Sequence, residues 1–234
     1  LFVNGGGKFS YSIYKEVNTI MKRTLIYTLI IAVAVVFSSV MYAAVVGSAH
    51  DFSTGGGAAV TDANLDWVCV FCHTPHQAAA ANGQYPLWNH TLSATANYGT
   101  YTSATMDDTD IADIGGAAAG AASVSNLCMS CHDGTVAIGS LYNQPNHQAA
   151  TVPALGAVSA NLGIDLTDDH PVNFTYAGSQ ATDAELAAPA AVASLLIAGQ
   201  VQCSSCHDVH DAGFDALLVM DNAASALCVT CHIK

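Results

Sequence analysis

The chain has 234 residues, 5 basic and 18 acidic side chains, a formal net charge of −13 and 52 % hydrophobic residues. Four of the five bases (Lys8, Lys15, Lys22, Arg23) precede residue 44, whereas seventeen of the eighteen acids, all but Glu16, follow it and leave Lys234 as the last base. A region so poor in cations cannot neutralise phosphates, which excludes nucleic acid and anionic membrane surfaces as partners.

In chain order, residues 1–20 precede a good initiator, Met21, and read as an upstream extension. Lys15-Glu16-Val17 can be encoded as a ribosome-binding sequence. Residues 21–43 read as a secretory signal peptide. Lys22 and Arg23 form its charged end, Leu25 to Phe37 its apolar stretch, and Ala43 its cleavage site. The apolar stretch is short for a membrane span, so no span is expected in the mature chain. Residues 44–234 then form a single domain.

That domain holds all eight cysteines, arranged as CVFCH (Cys69, Cys72, His73), CMSCH (Cys128, Cys131, His132), CSSCH (Cys203, Cys206, His207) and CVTCH (Cys228, Cys231, His232). C-x-x-C-H is the c-type haem attachment signature. Two thiols add to the two vinyl groups of a porphyrin, and the adjacent His reaches the iron from one face. Zinc needs no His after the second Cys, and a disulfide scaffold has no reason to place one there. Four repeats of the pattern predict four covalent haem c groups, and with them export to a compartment where haem c is attached.

Between the motifs lie segments rich in Ala, Gly, Ser and Thr, at 115–125, 150–163 and 185–199, with no sustained helical or strand period. They read as loops with short helices. TDAE at 182–185 resembles a capping box that would start a helical turn. Short helices are also expected at each CxxCH. The fold class is a multihaem cytochrome c, loop-rich with short helices and little sheet. The haems form its core, and the chain without them is expected to be largely unfolded.

Beyond the four CxxCH histidines there are six others, His50, His76, His90, His147, His170 and His210. Methionines are fewer, so the count favours imidazole on both faces of each iron and low potentials. His76 follows His73 by three residues and His210 follows His207 likewise. The second His of each pair cannot circle to the far face of its own haem, but it can reach a neighbouring one. His50 and His170 are further candidates for distal ligands, and His90 and His147 sit in loops. MDDTDIAD (106–113) and DLTDD (165–169) offer carboxylates to calcium without an ordered ligand spacing. The N-glycan patterns at Asn89 and Asn173 are read as chance. Phe71, Trp67, Trp88 and Tyr142 are read as packing near the haems.

HDF, CVFCHTPH, PLWNH, LCMSCHDGTVAIG, DDHPVNFTY, CSSCHDVH and SALCVTCHIK together resemble the exported multihaem cytochromes of metal-reducing bacteria. In haem number and size the chain is similar to their tetrahaem extracellular filaments of the OmcE type. That resemblance implies distal ligands at His50, His76, His170 and His210, with His90 and His147 as alternatives. It implies copies of the chain joined end to end, with one distal histidine, best placed at His50, donated between subunits. The function implied is hopping of electrons along stacked haems in a nanowire to external minerals or electrodes, with other cytochromes as redox partners and no catalytic residues. The alternatives are a monomeric periplasmic or surface carrier and, third, a haem enzyme reducing a small oxyanion. The lack of a cationic pocket argues against the enzyme.

Overall fold

Short-range backbone bonding, rather than extended sheet, organises this chain. The computed structural model describes residues 19–28, 45–78, 87–104, 106, 111, 114–115, 123–145, 150–211 and 213–233. Two compact units are present, Leu1–Ala43 and Ala44–Lys234. In the first, residues 19–28 are helical and exposed, and the Thr24 and Thr28 hydroxyls donate back to carbonyls of the preceding turn. The proposed upstream extension apart from residues 19 and 20, the apolar stretch beyond residue 28, and Ala43 lie outside the described residues. Among those described, no helix is long and apolar enough to cross a membrane.

Among its described residues the second unit contains three α-helices, α1 (Val124–His132), α2 (Tyr176–Thr182) and α3 (Ala226–Cys231), with single 3-10 turns such as Val68–Phe71 and Cys203–Ser205. Its strands are two residues each: β1 (Gly99–Thr100) pairs in parallel with β2 (Asp165–Leu166), and β3 (Phe174–Thr175) antiparallel with β4 (Gln200–Val201). Helix and loop with little sheet is the expected composition.

Three small apolar clusters replace a single core. Leu65, Val70, Phe71, Ile138, Leu141 and Val152 pack under the first two motifs. Tyr98, Ile114, Met129 and Leu166 hold α1 against β2. Phe174, Tyr176, Leu186, Ala187, Val192 and Val201 lie beside the last motif, with Cys231 against them. Met129 is 1 % exposed inside such a cluster, which spends its sulfur on packing.

Buried carboxylates pin the loops. Asp51 accepts hydrogen bonds from Gly47 N, Ser53 N and the Ser53 hydroxyl, which fixes the backbone on both sides of His50. Asp62 accepts from Asn64 N and from Thr151, joining two loops distant in sequence. Asp133, directly after α1, accepts from Tyr98, Thr135 and Ser93. Gly134 follows at φ +69, where a Cβ would strike the Asn161 amide, so both conformation and space demand glycine there.

One expectation is corrected. TDAE ends a helix instead of starting one. Thr182 is the last residue of α2, its hydroxyl donates back to Ser179 O, and the Asp183 carboxylate accepts Glu185 N in a turn. Phe71 is buried, and Trp67 and Tyr142 are about half exposed, Trp67 on the cavity beside Cys69 and His73.

Candidate functional site

Each CxxCH folds so that its three chemical groups share a side. His73 N bonds Cys69 O at 2.8 Å, His207 N bonds Cys203 O at 3.1 Å, and His232 N bonds Cys228 O at 3.0 Å. In the second motif Cys128, Cys131 and His132 lie within α1. A one-turn closure from first Cys to His sets residues i, i+3 and i+4 side by side, as two thioethers and one axial ligand require.

The motifs come in two kinds. The first and third are 3-10 turns, each gripped by a later segment through the same pair of bonds. Thr74 N bonds Leu87 O and Asn89 N bonds Cys72 O at 2.8 and 2.9 Å; Asp208 N bonds Leu217 O and Val219 N bonds Cys206 O at 2.8 and 3.0 Å. Both are followed by a second histidine, His76 and His210. The second and fourth lie in α1 and α3, each with Ser-Xaa-Leu before the first cysteine. The chain therefore repeats a two-motif unit.

Imidazoles meet in pairs. His73 stacks against His210 with ring centroids 6.1 Å apart, His50 faces His132 at 5.9 Å, and His170 faces His232 at 6.4 Å. Two imidazoles binding one metal from opposite sides, with metal–nitrogen bonds of about 2 Å, stand roughly 6 Å apart between ring centres. Each pair joins one CxxCH histidine to one from elsewhere in the chain.

Hydrogen bonds set the free nitrogen. His132 Nδ1 meets Ala160 O at 2.7 Å, His207 Nδ1 meets Ala216 O at 2.9 Å, and His170 Nδ1 meets Pro171 O at 2.8 Å. A carbonyl only accepts, so Nδ1 carries the proton and Nε2 is left with its lone pair, the arrangement of a metal-binding histidine. Burial, then the neighbouring His132 and His207, pull His50 down to about 4, and burial followed by His210 lowers His73. Both are neutral at pH 7, the form that coordinates. His50 Nδ1 is buried without a hydrogen-bond partner.

The thiols form a string. Burial pushes Cys72 up to about 11 and Cys131 up to about 12, the latter also feeling Cys72. Cys128 and Cys203 shift one another, the first up and the second down, and burial followed by Cys231 raises Cys206. None of the eight cysteines is paired in a disulfide. These residues fit covalent haem: the thiol pairs have the attachment spacing, carbonyls orient His132, His170 and His207 through Nδ1, and the three imidazole pairs have the spacing two ligands on one iron would need.

The remaining candidates separate clearly. His90 is 0 % exposed, its Nε2 donates to Ala137 O at 3.0 Å, its Nδ1 meets the Ser130 hydroxyl at 3.1 Å, and its Nε2 lies 3.6 Å from Cys131 Sγ. It is a core histidine joining residue 90 to α1. His147 lies outside the described residues. His76 is exposed, lines a cavity of about 510 Å³ with Trp67, Cys69, His73 and Asn143, and has no aromatic partner among the described residues. His207 likewise has none. Asn89 is fully buried with its amide donating to Val70 O at 2.8 Å, so its glycan pattern is not accessible. MDDTDIAD falls mostly outside the described residues, and Asp165 accepts Thr167 N within its own turn. No group of three or more His, Cys, Asp or Glu positioned for a metal ion occurs among the described residues.

Sequence reasoning passed over Ser125 and Gln202, which lie between motifs, and the carbonyls of Ala160 and Ala216. Backbone acceptors leave no residue-type signal, and a Gln beside a cysteine has none of its own.

The doubled CXXCH motif family (Paired_CXXCH_1) matches residues 197–234, the stretch from the hairpin before Cys203 through the fourth motif. This paired motif indicates a multihaem c-type cytochrome with covalently bound haem c and its iron. Such proteins are typically exported and usually carry electrons. No curated protein matches the chain closely enough to count as a relative.

Proposed function

We propose that the chain is a tetrahaem electron conduit that polymerises end to end outside the cell. The observation carrying this reading is the set of three imidazole pairs, each with the spacing of trans ligands. Haem iron, when bound, supplies the one-electron centre. The chain's own residues would fix neighbouring attachment points and orient His132, His170 and His207 through Nδ1–H bonds to carbonyls.

The repeat supports assembly. His210, from the second motif pair, reaches back to His73 of the first pair. By the same step His76, from the first motif pair, would reach a second motif pair belonging to another copy. Among the described residues no imidazole ring pairs with His207, which acts on His50 only as a neighbouring charge. The exchanged ligand in this reading is His76 rather than His50, whose ring already faces His132 of its own chain. The deficit of cations after residue 44 suits an exposed surface with cationic redox partners, and external minerals or electrodes are the acceptors.

Negative-stain microscopy of the exported protein tests this. The native chain should form thin uniform fibres, and H76A should give monomers with an unchanged haem count and one altered haem spectrum. Monodisperse native protein with four low-spin haems would favour the monomeric carrier, and fibres of H76A indistinguishable from native would remove the exchange.

A further inference from the structure

Gln202 immediately precedes Cys203 and is 1 % exposed. Its Oε1 accepts from the Ser123 hydroxyl at 3.0 Å, from Ser125 N at 3.1 Å and from the Ser125 hydroxyl at 2.6 Å. Its Nε2 donates to Asn173 Oδ1 at 2.9 Å and to Gln200 Oε1 at 3.1 Å, and its backbone N donates to the Ser205 hydroxyl at 3.0 Å. Ser125, 0 % exposed, relays the link because its oxygen also accepts Cys203 N at 3.0 Å.

These bonds join three places that matter. Ser123 and Ser125 open α1, which carries Cys128 and Cys131. Cys203 to Ser205 opens the third motif. Asn173 lies three residues after His170, the imidazole facing His232. Beside this knot α1 packs against the Cys203–Ser205 turn, which brings the second and third attachment motifs together. A leucine would fill the space. A multiply bonded amide admits one register between α1 and the third motif, since any other leaves buried polar groups unpaired.

We propose that Gln202, with Ser125, is a positioning residue that sets the separation and orientation of the haems attached at Cys128/Cys131 and Cys203/Cys206, and thereby their electronic coupling. This rests on the multihaem reading above. The test uses the exported, matured protein as native chain, Q202L and S125A. Haem content is measured by mass, and coupling by the Soret exciton couplet in circular dichroism. The expected result is full haem content in both variants with loss of couplet amplitude, greater in Q202L. An unchanged couplet in both variants at full haem content would overturn the proposal. If Q202L fails to mature, S125A alone decides it. Haem loss in both variants would assign these residues to folding and also overturn it. Native protein lacking haem at these motifs would instead defeat the multihaem reading.

Discussion

At the scale of single residues, what separates a ligand from a core histidine is what its ring nitrogens meet. His170 spends Nδ1 on Pro171 O and leaves Nε2 free beside His232, whereas His90 engages both nitrogens inside the protein. H170A should open one distal position, seen as a high-spin component and a spectral change on adding carbon monoxide. H90F should leave the haem spectrum unchanged, although it disturbs packing around α1. A high-spin signal in H90F, or none in H170A, would reverse these assignments. The cysteines and the adjoining histidines were legible in the sequence because the chemistry admits few other residue types at that spacing. The pairing of His50, His170 and His210 with the CxxCH imidazoles was not, because it depends on contacts between residues far apart in the sequence, which leave no local pattern.

At the scale of elements, the loop after α1 shows how a chain with little regular structure keeps its motifs in place. Burial alone would raise the pKa of Asp133, but hydrogen bonds from Ser93, Thr135 and Tyr98 outweigh it and hold the carboxyl below its ordinary value of 3.8. Because the folded-state pKa is lowered, this contribution to stability is fully present above 3.8 and is lost as pH falls through the lowered value. D133N should cost about 1–3 kcal/mol near neutral pH, the range for leaving buried donors without their acceptor. It should also flatten the acid limb of the unfolding curve. Thermal unfolding of the mature protein from neutral pH down to strongly acidic pH measures both, and a D133N profile parallel to the native one would contradict the assignment. The helices were anticipated at each CxxCH, but not their two kinds. Ser-Xaa-Leu before the cysteine accompanies an α-helix in the second and fourth motifs, and a second histidine after the motif accompanies a 3-10 turn in the first and third. TDAE misled because Asp183 uses its carboxylate on Glu185 N in a turn, a local bond that competes with helix formation.

At the scale of the whole molecule, three small apolar clusters and a few buried polar knots take the place of one large core. Each cluster lies beside one or two attachment motifs, so the polypeptide is arranged around four places rather than one centre. The low cation content after residue 44 and the repetition of the motif unit were readable from composition and spacing. The reach of His210 back to His73 was not, because it spans more than half the chain and depends on how the two units lie in the fold. The account rests on every CxxCH carrying a porphyrin, and counting haems in the purified mature protein by the pyridine haemochrome method tests it most directly. The result predicted is four per polypeptide; a count well short of four, or stoichiometric zinc in place of haem iron, would contradict it.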